Sequence, residues 1–156
     1  MTSDEWTFAA RLDDLEPGTP VSVDVDEEEI LLLRRGDEVH ACGPRCTHWH
    51  YPLERGSAEG SQLTCPWHGA RFDAETGEVT TPPALDHLAC YRVKVEDGQV
   101  YVGTAAGPEV GRRSAGDERE FVIVGGGAAG IAAATCLRQE GFGGRIRVIT
   151  DEKELP

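Results

Sequence analysis

Four side chains able to bind iron or zinc stand close together in two short stretches, Cys46-Thr-His48 and Cys65-Pro-Trp-His68. The two cysteines lie 19 residues apart. Each stretch is punctuated by proline or glycine, with Tyr-Pro at 51–52 and Pro-Trp-His-Gly at 66–69, so each reads as a loop. Two loops that each offer one thiolate and one imidazole can enclose a binuclear centre. Two sulfurs would go to one iron and two nitrogens to the other. A structural zinc site also uses Cys and His, but Cys-x-His is tighter than the usual zinc spacing of two to four intervening residues. Two unconnected pairs with no metal are the plainest alternative.

The flanks narrow the choice. Cys-Thr-His-Trp-His-Tyr-Pro-Leu (46–53), Cys-Pro-Trp-His-Gly-Ala-Arg-Phe-Asp (65–73), Thr-Gly at 76–77 and the opening at 11–20 together closely resemble the Rieske ferredoxin family over about residues 6–103. The resemblance implies a [2Fe–2S] cluster held by Cys46, His48, Cys65 and His68, and a role in electron transfer. High-potential members brace their loops with a disulfide and aim Ser and Tyr hydroxyls at the sulfurs. The matching places here hold Tyr51 and Trp67, and Ala70 and Phe72. Fewer donors stabilise the reduced centre less, so a potential at the low end of the range is expected, on the order of −150 mV. The family usually has glycine where His50 stands. A non-glycine residue there is expected to need positive φ, which carries strain.

A second motif lies further on. Gly125-Gly-Gly127-Ala-Ala-Gly130 fits G-x-G-x-x-G, follows the apolar run Phe-Val-Ile-Val (121–124) and opens a helix-forming run from Ile131 to Glu140. In that context the first glycine allows a tight turn, the second lets backbone reach a pyrophosphate, and the third allows close helix–strand packing. Asp151 follows Gly130 by 21 residues, with Glu152 next, where an acid can accept from a ribose hydroxyl. FAD and NAD share this fingerprint, and a Gly/Ala turn chosen only for packing would look the same. Residues 121–156 resemble the start of the FAD-dependent pyridine nucleotide–disulfide oxidoreductase-type family. The likeness is nearest to ferredoxin reductases and apoptosis-inducing-factor-like proteins, including members with an N-terminal Rieske domain. It implies that Gly125, Gly127, Gly130 and Asp151 or Glu152 contact the ADP part of FAD. Two strands and a helix cannot cover both faces of a parallel sheet. The expectation is therefore the N-terminal part of a longer NAD(P)H oxidoreductase, whose nicotinamide domain lies beyond Pro156. This stretch alone would hold no FAD and oxidise no NADH. The other expectation is a free-standing Rieske ferredoxin, a non-catalytic carrier serving a dioxygenase or other acceptor.

The elements that must position these residues differ along the chain. Before residue 104 the pattern is short strands and turns: 6–11, 21–25, 29–34, 38–42, 91–95 and 99–102, with Asp-Gly at 97–98 as a hairpin signal. The reading is a mainly antiparallel β domain at 1–103, then a Gly/Ala-rich linker at 104–119. An incomplete βαβ of a Rossmann-like FAD-binding domain follows at 120–156. In it, 121–124 is a strand buried on both faces, Gly141 ends the helix, and 145–150 is a second strand.

The chain has 156 residues and a formal net charge of −13, of which residues 1–103 carry −12. Such acidity argues against DNA, RNA or anionic lipid as a partner. An acidic carrier is steered instead toward a basic face on a redox partner protein. The uncharged run 121–137 only reaches the lower limit for a membrane helix and contains three consecutive glycines, so no membrane span is expected. Five cysteines, an odd number, with no basic, apolar leader at Met1 point to a reducing cytoplasm. Cys42, Cys90 and Cys136 read as packing residues. His40 and His87 read as surface residues, and Trp49 and Trp67 as shields for the metal site.

Overall fold

Ile30, Leu31, Leu32 and Leu33 form an unbroken apolar run. A strand carries such a run only where both its faces are covered. The computed structural model describes residues 6–106 and 117–151, which fall into two units. In the first, the chain runs through β1 (Thr7–Arg11), β2 (Pro20–Val25), β3 (Glu28–Arg35), β4 (Glu38–Cys42), β5 (Ser57–Glu59), β6 (Gln62–Thr64), β7 (Arg71–Asp73), β8 (Val79–Thr81), β9 (Cys90–Glu96) and β10 (Gln99–Ala106). Six of these form an antiparallel sheet in the order β1-β10-β9-β4-β3-β2. The other four form a small antiparallel sheet, β5-β6-β7-β8.

β3 explains why two cores exist. Its side chains alternate across the sheet. Ile30 and Leu32 join Leu15, Val39, Ala41, Val100 and Val102 in one core. Leu31 and Leu33 join Cys42, Leu63, Phe72, Leu88 and Cys90 in the other, which lies under the small sheet and the loops that adjoin it. All four β3 side chains are at most 2% exposed. Parity also sorts β9: Cys90 belongs to the second core, while Tyr91 and Val93 pack on the first. Asp97 and Gly98 both have positive φ, 50° and 72°, as the β9–β10 hairpin turn requires.

The second unit holds β11 (Glu120–Val124), α1 (Ala128–Gln139) and β12 (Arg145–Ile149), with β11 and β12 paired in parallel. Several expectations need correction here. The helix starts three residues before Ile131, because Gly127 is its N-cap and the small residues after it already adopt helical geometry. β11 is not buried on both faces: Val122 and Val124 are 53% and 83% exposed. Among the described residues one helix lines one side of this strand pair. Cys136, expected to pack, is exposed. β10 continues to Ala106, three residues into the stretch read as linker, and residues 107–116 lie outside the described residues.

Candidate metal centre

The first ligand loop leaves β4 and returns at the short turn Leu53–Arg55. Arg45 and Pro52 pair across its base. The Cys46 N–H donates to the Tyr51 carbonyl at 2.9 Å, and the His50 N–H donates to the Cys46 carbonyl at 2.7 Å. The second loop joins β6 to β7 in the same way. The Cys65 N–H donates to the Ala70 carbonyl at 2.8 Å, and the Gly69 N–H to the Cys65 carbonyl at 3.0 Å. Each cysteine therefore starts a tight turn that presents its histidine outward.

Cys46 and Cys65 are both 1% exposed, inside one apolar core, and their thiols meet. His48 is half-buried and His68 exposed, with ring centroids 4.9 Å apart at 79°. The four predicted ligands thus come together as a buried sulfur pair and a pair of adjacent imidazoles, one half-buried and one exposed. Among the described residues no group of three or more His, Cys, Asp or Glu side chains is placed to hold a single ion. Two thiols beside two imidazoles make a donor set that a binuclear iron centre could use. The His48 Nδ1 supplies a direct test of fit. It is buried with no hydrogen-bond partner, a costly state for a nitrogen lone pair, and a bond to iron would satisfy it.

The surroundings set the electrostatics. Burial, the largest influence, raises the Cys46 thiol above its ordinary pKa, while the amides of His48 and Trp49 donate to its sulfur and pull the other way. Phe72 and Ala70 are 0% exposed and bring no hydroxyl to the sulfurs. Trp49 and Trp67 are 64% and 52% exposed, so they stand as rims at the site, and the expected shielding is partial.

Supporting residues include some that the sequence did not single out. The Thr47 hydroxyl donates to the Asp86 carbonyl at 2.6 Å, tying the first loop to the segment that buries Ala84 and Leu88. Arg45 pairs with Glu29 of β3 at 2.8 Å. The Asp73 carboxylate accepts from the Ser61 hydroxyl, the Glu75 amide, and the amide and hydroxyl of Thr76. Acid-then-turn spacing, Asp-Ala-Glu-Thr-Gly, was the only available signal for it. His40 and His87, expected at the surface, are both half-buried. The His87 Nδ1 accepts from the Val79 amide at 3.0 Å.

The glycine motif of the second unit folds as a strand–turn–helix. Gly125 has φ 108° and donates its N–H to the Ile149 carbonyl at 2.8 Å. A Cβ on Gly127 would meet nothing within 4 Å, while one on Gly130 would lie 2.0 Å from the Gly125 carbonyl oxygen. Asp151 is exposed just past β12, and Glu152 lies outside the described residues. No helix among the described residues is long and apolar enough to cross a membrane.

Comparison with known proteins bears on the first of the two units. Residues 5–92 match the family described as "Rieske [2Fe-2S] domain". Human apoptosis-inducing factor 3 is 38% identical over 92% of this chain, and the match covers 26% of that protein. The chain thus spans about a quarter of the length of that relative. The ferredoxin component of a naphthalene 1,2-dioxygenase/salicylate 5-hydroxylase system from Ralstonia sp. is 37% identical over 61% of the chain and 91% of its own length. Among solved structures, the ferredoxin of carbazole 1,9a-dioxygenase from Nocardioides aromaticivorans superposes with a TM-score of 0.60 at 35% identity, over 62% of this chain and 95% of that one.

Proposed function

The chain belongs to the Rieske [2Fe-2S] domain family, and from that premise we propose that it is the electron-transfer part of an FAD-dependent NAD(P)H oxidoreductase. The Rieske domain's role in electron transfer is carried by one observation: two buried thiols meet in the same pair of loops that brings two imidazole rings to 4.9 Å, His48 half-buried and His68 exposed. Cys46, His48, Cys65 and His68 would hold the cluster. When bound, the [2Fe–2S] group supplies one-electron chemistry.

The chain's own residues set the terms of that chemistry. The buried cysteines exclude water from the sulfur end. The exposed His68 brings the nitrogen end to the surface, where a partner protein can approach. Amides of His48 and Trp49 lend the sulfur partial positive charge, and the acidic scaffold opposes an added electron.

For the second unit the proposed ligand is the pyrophosphate of FAD. A Cβ on Gly127 would meet nothing within 4 Å, and the start of α1 has no side-chain cap, so its first-turn amides are left for a ligand. Gly125, Gly127, Gly130 and Asp151 are the proposed contacts, with Glu152 as the alternative acid. This reading is supported by the match to apoptosis-inducing factor 3, which extends over 92% of the chain. The apolar exposure of Val122 and Val124 adds to it, since further strands and helices would cover that face. The redox partner, NAD(P)H use and a cytoplasmic location belong to the same proposal.

A second reading has its own support. The dioxygenase ferredoxin components match the Rieske unit over nearly their whole length, so a carrier delivering electrons to an oxygenase is the alternative. Visible absorption and EPR of the purified protein test the cluster; a colourless protein with stoichiometric zinc would reject it. NAD(P)H oxidation by the natural gene product separates the two readings. Flavin-dependent turnover supports the reductase, and none supports the carrier.

A further inference from the structure

Four rings close a circuit at the metal site. His48 packs edge-on against Trp49 at 6.0 Å, Trp49 against Trp67 at 6.0 Å, Trp67 stacks on His68 at 4.7 Å and 29°, and His68 returns to His48 at 4.9 Å. Tyr51 joins at Trp67, 5.5 Å away. The His48 and His68 imidazoles are therefore each backed by a tryptophan of their own loop, and the two tryptophans touch across the gap between loops. Little else spans that gap. Apart from the meeting of the Cys46 and Cys65 thiols, no hydrogen bond among the described residues joins 45–53 to 65–70. Thr47 ties the first loop to Asp86, not to the second loop.

Resting on the cluster reading above, we infer that Trp49 and Trp67, with Tyr51, form a non-covalent clasp that positions the ligand imidazoles. They are positioning residues: they act on the centre through His48 and His68. The exposure of both indoles, 64% and 52%, would be a poor use of large apolar rings if burial alone were their purpose. Their T-shaped and stacked geometries are instead the favourable ones for ring pairs. Trp67 is central, since it contacts Trp49, His68 and Tyr51 together. Loss of its ring should free the His68 plane and let the loops part.

The test uses the whole chain loaded with iron and sulfide. Trp67→Leu should lose its visible absorption to a chelator about tenfold faster than the parent, as expected for two or three lost ring contacts. Its reduced-state EPR lines should broaden as the imidazole planes scatter. Trp67→Phe, which restores a ring, should return near the parent in both measurements. The double variant Trp49→Leu/Trp67→Leu should lose the cluster less fast than the product of the single effects, because both singles break one shared contact. The metal-free chain gives an independent readout: the Trp49–Trp67 pair should produce an exciton couplet in circular dichroism that either Leu variant removes while the sheet signal stays. Parent-like cluster loss and EPR in Trp67→Leu, or strictly multiplicative effects in the double variant, would overturn the clasp. A parent chain that takes up no cluster overturns the electron-carrier reading instead.

Discussion

His50 and Gly69 occupy the same position in the two ligand loops. Each follows its cysteine by four residues, donates its N–H to that cysteine's carbonyl, and has positive φ, 55° for His50 and 75° for Gly69. Glycine adopts this conformation freely, whereas an L side chain is strained in it by about 1 kcal/mol or more. The first loop therefore carries strain that the second does not. His50→Gly should stabilise the protein by about 0.5–1 kcal/mol, part of the gain being offset by the freer unfolded chain. Gly69→Ala should cost about 1 kcal/mol through backbone strain, since its Cβ would meet nothing within 4 Å. Thermal melts should move by a few degrees in opposite directions. Equal melts for parent and His50→Gly would show that His50 is held at no cost.

The cysteines should separate by chemistry. Cys46→Ser and Cys65→Ser should abolish the visible bands and the EPR signal, and Cys136→Ser should keep both. Alkylation at pH 8 should modify the exposed Cys136 quickly and spare Cys42 and Cys90. Burial, with the Asp73 charge nearby, pushes Cys90 up to about 11, so roughly one thiol in a thousand is ionised at that pH. Cys42, cross-strand neighbour of Cys90, is pushed up further by burial, by Cys90 and by Asp73. Mass mapping of the labelled peptides decides the order. Prompt labelling of Cys42 would contradict its burial.

Much of this was legible in the residues, and the gaps have physical causes. The four proposed ligands and the long strands carried signals because chemistry or period-two alternation fixed their spacing. The small sheet left none: β5 to β8 are three residues each, too short for alternation to register. The β2–β3 turn was also silent. Asp26 and Glu27 take positive φ, 48° and 70°, without the glycine that normally announces such a turn. β11 misled for the opposite reason, since its apolar run matches a doubly covered strand that the described residues cover on one side only.

Asp73 should give the protein an acid-sensitive component. Burial alone would raise its pKa, but donation from the Thr76 amide, the Ser61 hydroxyl and the Glu75 amide holds it below the ordinary value. A lowered folded pKa adds stability above the unfolded value, about 3.9. That stability is lost as pH falls through the folded pKa. Asp73→Asn should therefore be weaker than the parent at pH 7, by about 1–2 kcal/mol for the lost charge-assisted bonds. The gap should narrow below pH 4. Urea midpoints at pH 7 and pH 3 test this, and a gap that does not change with pH would contradict it.

The potential should lie at the low end for these centres, on the order of −150 mV. Phe72 and Ala70 offer no hydroxyl beside the sulfurs. Phe72→Tyr should raise it, because a donor to sulfur stabilises the reduced state more than the oxidised one. One such bond is worth about 1 kcal/mol, or about 45 mV for a one-electron couple. Redox titration with the cluster intact measures the difference. A clearly positive potential in the parent, or no rise in the variant, would reject the assignment.

Gly130 links the second unit to its proposed flavin. The 2.0 Å clearance between a Cβ there and the Gly125 oxygen leaves no room for a methyl group. Gly130→Ala must push α1 away from β11 or open the turn, and either displaces the helix N-terminus that would face a pyrophosphate. In the natural gene product, Gly130→Ala should lower FAD retention and NAD(P)H oxidation while leaving the cluster spectrum unchanged. Cys65→Ser should do the reverse, keeping reduction of the flavin but losing one-electron delivery to an acceptor. The two variants together ask whether two separate cofactor sites serve one electron path. Parent-like flavin binding in Gly130→Ala would place the nucleotide elsewhere, and the β11–α1 turn would then be a packing device only.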